Sequence, residues 1–264
     1  MSTAFRIGPF WGGFGAIRRL VVFGDSYSYV GYHSQAPLPT SSRPLGVPFP
    51  GTPLTEAGKP NWVGHLVTTY AHGRSNMLVY DYAVRGDTVP GVVKQISECF
   101  LPSVGRKPSW APWKPGDTLF VTWVGTDDCR IIEEIVPIIR SLLDAHEKLY
   151  TAGARNFLFL DVPPIHRSPG APNDGSDFSV RFRLWNAELR AALTSFAAAH
   201  SDATVILFSA WELFNRVLDA PGSHGFTAGD LTVKGGRFWF DHIHPTSKFH
   251  DILAREVSSL LSSI

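Results

Sequence analysis

Residues 19–30 read RLVVFGDSYSYV. The apolar run Leu20–Phe23 stops at Gly24, and Asp25 and Ser26 follow at once. A β-rich run of that length, closed by glycine and small polar residues, predicts a buried strand that ends in a tight turn. A serine there stands at the carboxyl edge of a sheet, where open α/β folds take their ligands. The same residues also fit a helix N-cap, a position that Ser and Asp favour. The stretch alone does not separate the two readings.

Similar apolar runs recur at Met77–Ala83, Thr118–Val124, Asn156–Leu160 and Thr204–Phe208. Helical patterns lie between and after them. One runs from an Asn61 cap to Ala71 with Trp62, Leu66 and Val67 on one face, and one opens at Asp87 or Thr88 and carries Val92, Val93, Ile96 and Phe100. A long one spans 131–152 with a kink expected at Pro137, and others cover 178–200, 211–218 and 246–261. Five strands alternating with helices predict an α/β fold of three layers, a parallel sheet covered on both faces. Residues 1–18 read as an irregular arm, with Phe5, Phe10, Trp11 and Phe14 available to pack on the body. Two Pro/Gly-rich excursions, 32–60 and 161–176, read as loops; loops that long in a compact domain are usually functional or mobile. No repeat or linker divides the chain, which reads as one domain over 1–264.

Composition narrows the function classes. With 44% hydrophobic and 18% charged residues the chain is globular rather than disordered. A net charge of +1, with scattered basic residues, makes no case for nucleic acid or an anionic membrane as partner. Cys99 and Cys129 are too few for a disulfide framework, though a single bridge stays open. The first 20 residues, broken by Arg6, Pro9 and glycines, lack the basic start and continuous apolar core of a signal peptide, and no window reaches the length of a membrane span. None of the six asparagines heads an Asn-x-Ser/Thr site. These features lean towards a cytoplasmic protein; a secreted chain whose leader had been removed would read the same.

Polar chemistry collects at predicted strand ends. Three strands stop at Gly24-Asp25-Ser26, Gly86-Asp87 and Gly125-Thr126-Asp127-Asp128, turns that a parallel sheet brings to one edge. A fourth cluster, Asp241-His242-Ile243-His244-Pro245, precedes the last helix. An Asp three residues before a His can fold back to accept from the imidazole, fixing its tautomer and supporting the imidazolium. A serine, an acid-oriented histidine and turns with free backbone N–H groups are the parts of nucleophilic acyl transfer.

The blocks FGDSYS (23–28), YDYAVRGDT (80–88), WVGTDD (123–128) and FDHIHPTSKFHDILA (240–254) together resemble those of the GDSL, or SGNH, hydrolases, a family of esterases and lipases. The resemblance covers most of the chain and implies a flavodoxin-like five-stranded parallel sheet. It also implies a catalytic triad of Ser26, Asp241 and His244, and an oxyanion hole built from Ser26, Gly86 and the residue at position 127. The GDSY opening, PLGVPFPG (44–51) and NWVGHL (61–66) look like fungal members related to family sixteen of the carbohydrate esterases, exo-acting acetyl esterases. No cofactor is implied. The expected partner is a small-molecule ester with a short acyl group, acetyl on a sugar or small metabolite; nothing bears on oligomeric state. Acyl transfer or thioester cleavage on the same machinery is the alternative, and a repurposed scaffold that binds a small ligand is a reading of another class.

Position 127 departs from the family pattern Gly-x-Asn-Asp, in which the Asn amide is a third oxyanion donor. An ionised carboxylate only accepts hydrogen bonds and repels a developing oxyanion. Loss of one such donor costs on the order of 100- to 1000-fold in turnover. Three outcomes are open: Asp127 held neutral by burial beside Asp128, a shifted loop that leaves the hole to Ser26 and Gly86, or a site turned to other chemistry. Arg85 is a second departure, expected to pair with Asp127 or Asp87, to bind a substrate carboxylate, or simply to face solvent. Trp110 and Trp113, in an irregular segment, are candidates for lining a substrate pocket. Asp25 reads as a turn residue rather than a catalytic acid, and Cys129 as buried and inert. The Asp241-His242-His244 set does not read as a metal site, because alternate residues on an extended segment face opposite ways.

Overall fold

The computed structural model describes residues 1–71, 77–131, 134–171 and 178–264. Six strands form one sheet: β1 Thr3–Arg6, β2 Arg19–Gly24, β3 Leu78–Asp81, β4 Thr118–Trp123, β5 Asn156–Leu160 and β6 Thr204–Phe208. Their order is β1-β6-β5-β4-β2-β3. The five expected strands all pair in parallel, and without β1 their order is the flavodoxin-like one. The chain reverses direction across the sheet between β2 and β4, the switch point where such folds place ligands. Strands β4, β5 and β6 are buried along their whole length, which is why they read as continuous apolar runs.

The N-terminal arm is not irregular. Thr3–Arg6 adds antiparallel to β6, with a register shift between Ala4 and Arg6. Its four residues carry no alternation to read; the free edge of β6 and the bond from Gly8 N–H to Thr204 Oγ1 at 2.9 Å recruit them.

Helices α1 Trp62–His65, α2 Val89–Lys94, α3 Asp128–Ile131, α4 Ile135–Thr151, α5 Ser179–Ala199, α6 Ala210–Asp219 and α7 Ser247–Ser262 cover the sheet. The first two continue with π spacing over Leu66–Tyr70 and Gln95–Phe100. Asn61 caps α1 as expected, its side chain accepting from Val63 and Gly64 N–H. The long helix expected over 131–152 is two helices. Pro137 falls in the first turn of α4, where a missing N–H costs nothing, so it marks a start rather than a kink. Ile131, the first residue of the expected helix, is 70% exposed. The excursion expected at 161–176 is only partly described, since 172–177 lie outside the described residues.

Trp113 is core, not pocket lining. It is buried, donates Nε1–H to the Val104 carbonyl at 2.7 Å, and packs edge-on against Phe120. Phe120 also meets Phe100 and Phe157, so its truncation to Ala would cost about 3–5 kcal/mol. Trp110 is half-exposed on the same segment. That segment runs from α2 into the start of β4, at the amino edge of the sheet, whereas ligands bind at the carboxyl edge. Topology therefore removes both tryptophans from the site.

Candidate active site

Backbone bonds lock the three strand-end turns side by side. Asp25 N–H donates to the Trp123 carbonyl at 3.2 Å, and Val84 N–H donates to the Gly24 carbonyl at 3.1 Å. The turn carrying Ser26 thus sits between the turns after β3 and β4, as parallel pairing of β2 with both strands requires. Gly24 takes φ +153°, and a Cβ there would meet the Trp123 carbonyl oxygen at 2.2 Å. Only glycine allows that approach.

Side chains then fix the Ser26 turn from below. The Asp25 carboxylate accepts from Tyr27 N–H at 3.0 Å. Burial drives this carboxyl well above its usual range; the bond from Tyr27 opposes the rise, and the charges of Asp127, Asp128 and Asp87 add to it. Asp25 is a turn residue, as expected. Asn61 does more than cap a helix: its amide donates to the carbonyls of Ser28 at 3.0 Å and Tyr29 at 3.1 Å. Gln95 brackets Gly24, accepting from its N–H at 2.9 Å and donating to its carbonyl at 2.8 Å. The same amide donates to Asp87 at 2.7 Å. No sequence signal marks Gln95, because its partner lies 71 residues away.

The histidine arrives from the far end of the chain. His244 Nε2 lies 2.8 Å from Ser26 Oγ, and Nδ1 lies 2.7 Å from Asp241 Oδ2. The other Asp241 oxygen accepts from the N–H groups of Ile243 and His244 at 2.9 and 2.8 Å, the fold-back that the three-residue spacing predicts. Burial alone would push the Asp241 carboxyl up, but the bonds from the His244 ring and the two backbone N–H groups bring it down to about 2. It is therefore an acceptor only, and Nδ1 must carry a proton, leaving Nε2 to accept from the Ser26 hydroxyl. Tyr27 secures the loop by donating its hydroxyl to the Ile243 carbonyl at 2.6 Å.

Ser26 and Gly86 N–H groups donate to no acceptor among the described residues, so both are free to meet an oxyanion. Gly86 takes φ +74° with open space where a Cβ would point; glycine is needed there for its backbone angle, not for room.

Position 127 answers one open question. The fully buried acid of the pair is Asp128, not Asp127. Asp128 accepts from Val89 N–H at 3.0 Å, which ties the third block to the start of α2, and burial lifts its carboxyl to about 6. Asp127 stays partly exposed and forms an ion pair with Arg130 at 3.8 Å. The turn itself is tightly packed: Cys129 N–H donates to the Gly125 carbonyl at 2.9 Å, and a Cβ on Gly125 would strike the Trp185 ring at 2.3 Å. Arg85 pairs with neither Asp127 nor Asp87. It is exposed, lies over the Tyr29 ring at 4.6 Å and donates to the Thr52 carbonyl, fastening the 32–60 loop beside the Ser26 turn.

A cavity of about 430 Å³ opens against Asp241 and His244, lined also by Arg130, Gly170, His242 and Ile243. A larger groove, about 490 Å³, lies between α4 and α5. It contains neither Asp241 nor His244, whereas the smaller cavity is lined by both, so the chemistry assigns the smaller cavity to the site. His242 is exposed while His244 is buried, and among the described residues no three His, Cys, Asp or Glu side chains are placed to hold a metal. Both cysteines are free, and among the described residues no helix is long and apolar enough to cross a membrane.

A second Ser–His–Asp grouping shows what proton direction decides. His65 Nε2 lies 2.9 Å from Ser247 Oγ, and Nδ1 lies 3.4 Å from Asp251. Ser247, however, donates its hydroxyl proton to the Pro60 carbonyl at 2.6 Å. Nε2 also faces the Ser247 carbonyl, which can only accept, so the ring donates there and cannot serve as base. This set, with Glu56 accepting from Ser247 N–H at 2.8 Å, anchors the start of α7 behind His244.

Fold and strand-end blocks agree with comparison to known proteins. The sequence model of the GDSL-like lipase/acylhydrolase family matches residues 20–257. The chain belongs to this family. It is 31% identical to an acetylesterase of the fungus Thermothelomyces thermophilus, over 90% of this chain and 86% of that protein. In fold it is similar to an α/β-hydrolase enzyme from the metagenome of Lake Arreo, Spain, with a TM-score of 0.61, 15% identity and coverage of 95% and 99% of the two chains. It is also similar to a lipolytic G-D-S-L protein from Veillonella parvula, with a TM-score of 0.56, 15% identity and coverage of 93% and 99%. This GDSL protein is accordingly an ester-hydrolysing enzyme acting on small-molecule esters.

Proposed function

We propose that this GDSL enzyme cleaves short-acyl esters, acetyl esters foremost, through Ser26, His244 and Asp241. The observation that carries the reading is the relay in which His244 meets Ser26 at 2.8 Å and Asp241 at 2.7 Å. Ser26 Oγ attacks the acyl carbon as its proton passes to His244 Nε2, and Asp241 supports the imidazolium. The tetrahedral oxyanion is met by the N–H groups of Ser26 and Gly86. His244 then returns the proton to the departing alcohol. Water, deprotonated by the same nitrogen, attacks the acyl-serine and releases the acid.

Two observations support a small acyl group on a polar alcohol. The fungal relative is an acetylesterase. Of the residues lining the cavity beside the triad, Ile243 is the one aliphatic side chain, which suits an acetylated sugar or small metabolite better than a long acyl chain.

Labelling with an organophosphonate, followed by peptide mass spectrometry, tests the reading. An adduct on Ser26 that is lost in His244→Ala, together with faster hydrolysis of p-nitrophenyl acetate than of its octanoate analogue, is expected. No adduct and no hydrolysis would instead favour a scaffold that only binds a ligand, and transfer to an added alcohol in preference to water would favour an acyltransferase.

A further inference from the structure

Carboxyl groups crowd the site, and each one that ionises adds negative charge. Asp127 and Asp128 both press on the Asp25 carboxyl, directly under Ser26, and Asp127 and Asp87 press on Asp128. An acid at position 127, where the resemblance leads one to expect a neutral amide donor, adds to that charge at the place where an oxyanion forms. Arg130 stands against it. Three residues on from Asp127, its guanidinium reaches the carboxylate at 3.8 Å and lines the cavity with Asp241 and His244. Its side chain makes no hydrogen bond to a described residue, and its charge is felt at Tyr27, the neighbour of Ser26.

On the reading that Ser26 forms an acyl-enzyme, we propose that Asp127 and Arg130 work as one unit. Arg130 is a positioning residue that cancels the Asp127 charge and holds that carboxylate away from the developing oxyanion. The i,i+3 spacing keeps both on the short helix α3 and its entry, so one follows the other. The long, partly exposed contact fits a charge-balancing role better than a structural one, since exposed pairs contribute little to stability.

A double-mutant cycle tests this, with kcat and KM measured on p-nitrophenyl acetate and phosphonate labelling of Ser26 run alongside. Arg130→Ala is expected to lower kcat by about 10- to 100-fold with little change in KM, because the lost interaction belongs to the transition state. Arg130→Lys, which keeps the charge, restores most of the loss. In an Asp127→Asn background, Arg130→Ala loses at least tenfold less than it does in the parent, and Asp127→Asn alone is more active than the parent, because it removes the charge and supplies an N–H donor. Added salt slows the parent more than Arg130→Ala, as screening of a partly exposed pair requires. Equal losses from Arg130→Ala in both backgrounds, or no loss in either, overturn the proposal. A parent enzyme that neither hydrolyses the ester nor labels at Ser26 overturns the catalytic reading instead, so the two failures are distinct.

Discussion

Gln95 and Gly24 hold one another through two hydrogen bonds, N–H to Oε1 at 2.9 Å and Nε2–H to carbonyl at 2.8 Å. The side-chain oxygen supplies the acceptor that the Gly24 N–H lacks where the chain leaves the sheet for the Ser26 turn, and the amide N–H adds to the bond the Gly24 carbonyl already takes from Val84 N–H. Gln95→Ala leaves the buried Gly24 N–H unpaired, while the Gly24 carbonyl keeps its bond from Val84 N–H, and is expected to cost about 1–3 kcal/mol. Gln95→Glu is expected to be worse, since a carboxylate cannot donate and sits beside Asp87. Thermal unfolding reads the first effect, and a fall in kcat larger than any change in KM reads the loosened turn.

Two glycines at the site should respond differently to alanine. At Gly24 the added methyl meets backbone, the Trp123 carbonyl oxygen at 2.2 Å, which cannot move without breaking the sheet. A loss above about 3 kcal/mol is expected. At Gly86 the methyl enters open space and only the left-handed φ is penalised, about 1–2 kcal/mol. Urea titrations that rank Gly86→Ala as the more damaging would contradict this account.

Asp241→Asn separates catalysis from folding. An asparagine oxygen can still accept from the Ile243 and His244 N–H groups, so the turn survives. Its amide donates towards Nδ1 and forces the wrong tautomer, with a proton on the nitrogen that faces Ser26. A drop in kcat on the order of 10⁴-fold is expected, with a melting temperature close to that of the parent. A variant that keeps a tenth of the activity would show that Asp241 is not the orienting acid.

Buried titratable groups predict the pH dependence of stability. Burial lowers His146 to about 4, opposed by its bond to the Leu142 carbonyl, and lowers His250 to about 3. Below the unfolded value near 6.5 the unfolded chain takes up protons that the native state refuses, so stability is lost as pH falls from about 6.5 towards 4. Asp128 and Asp161, both lifted by burial to about 6, act in the opposite sense, with stability falling as pH rises from about 4 to 6. His146→Gln should therefore flatten the acid side of the melting-temperature profile, and Asp128→Asn should steepen it. Parallel profiles for parent and variants would refute the assignment.

The sequence by itself determined the five parallel strands, their carboxyl-end turns and the Asp241–His244 fold-back. These follow from local patterns: continuous apolar runs, glycine punctuation and a three-residue spacing. Arg130 was also within reach, at an i,i+3 spacing from the acid that departs from the family pattern. Only the tertiary structure decided the rest. β1 exists because β6 offers an edge, and Trp113 is core because its segment enters β4 from the far end of the sheet. Gln95 and Asn61 reach across 71 and 33 residues to hold the Ser26 turn. The two Ser–His–Asp groupings differ in where each serine sends its proton, to His244 from Ser26 and to the Pro60 carbonyl from Ser247. That direction is set by acceptors that arrive from distant parts of the chain, and no local pattern of residues encodes it.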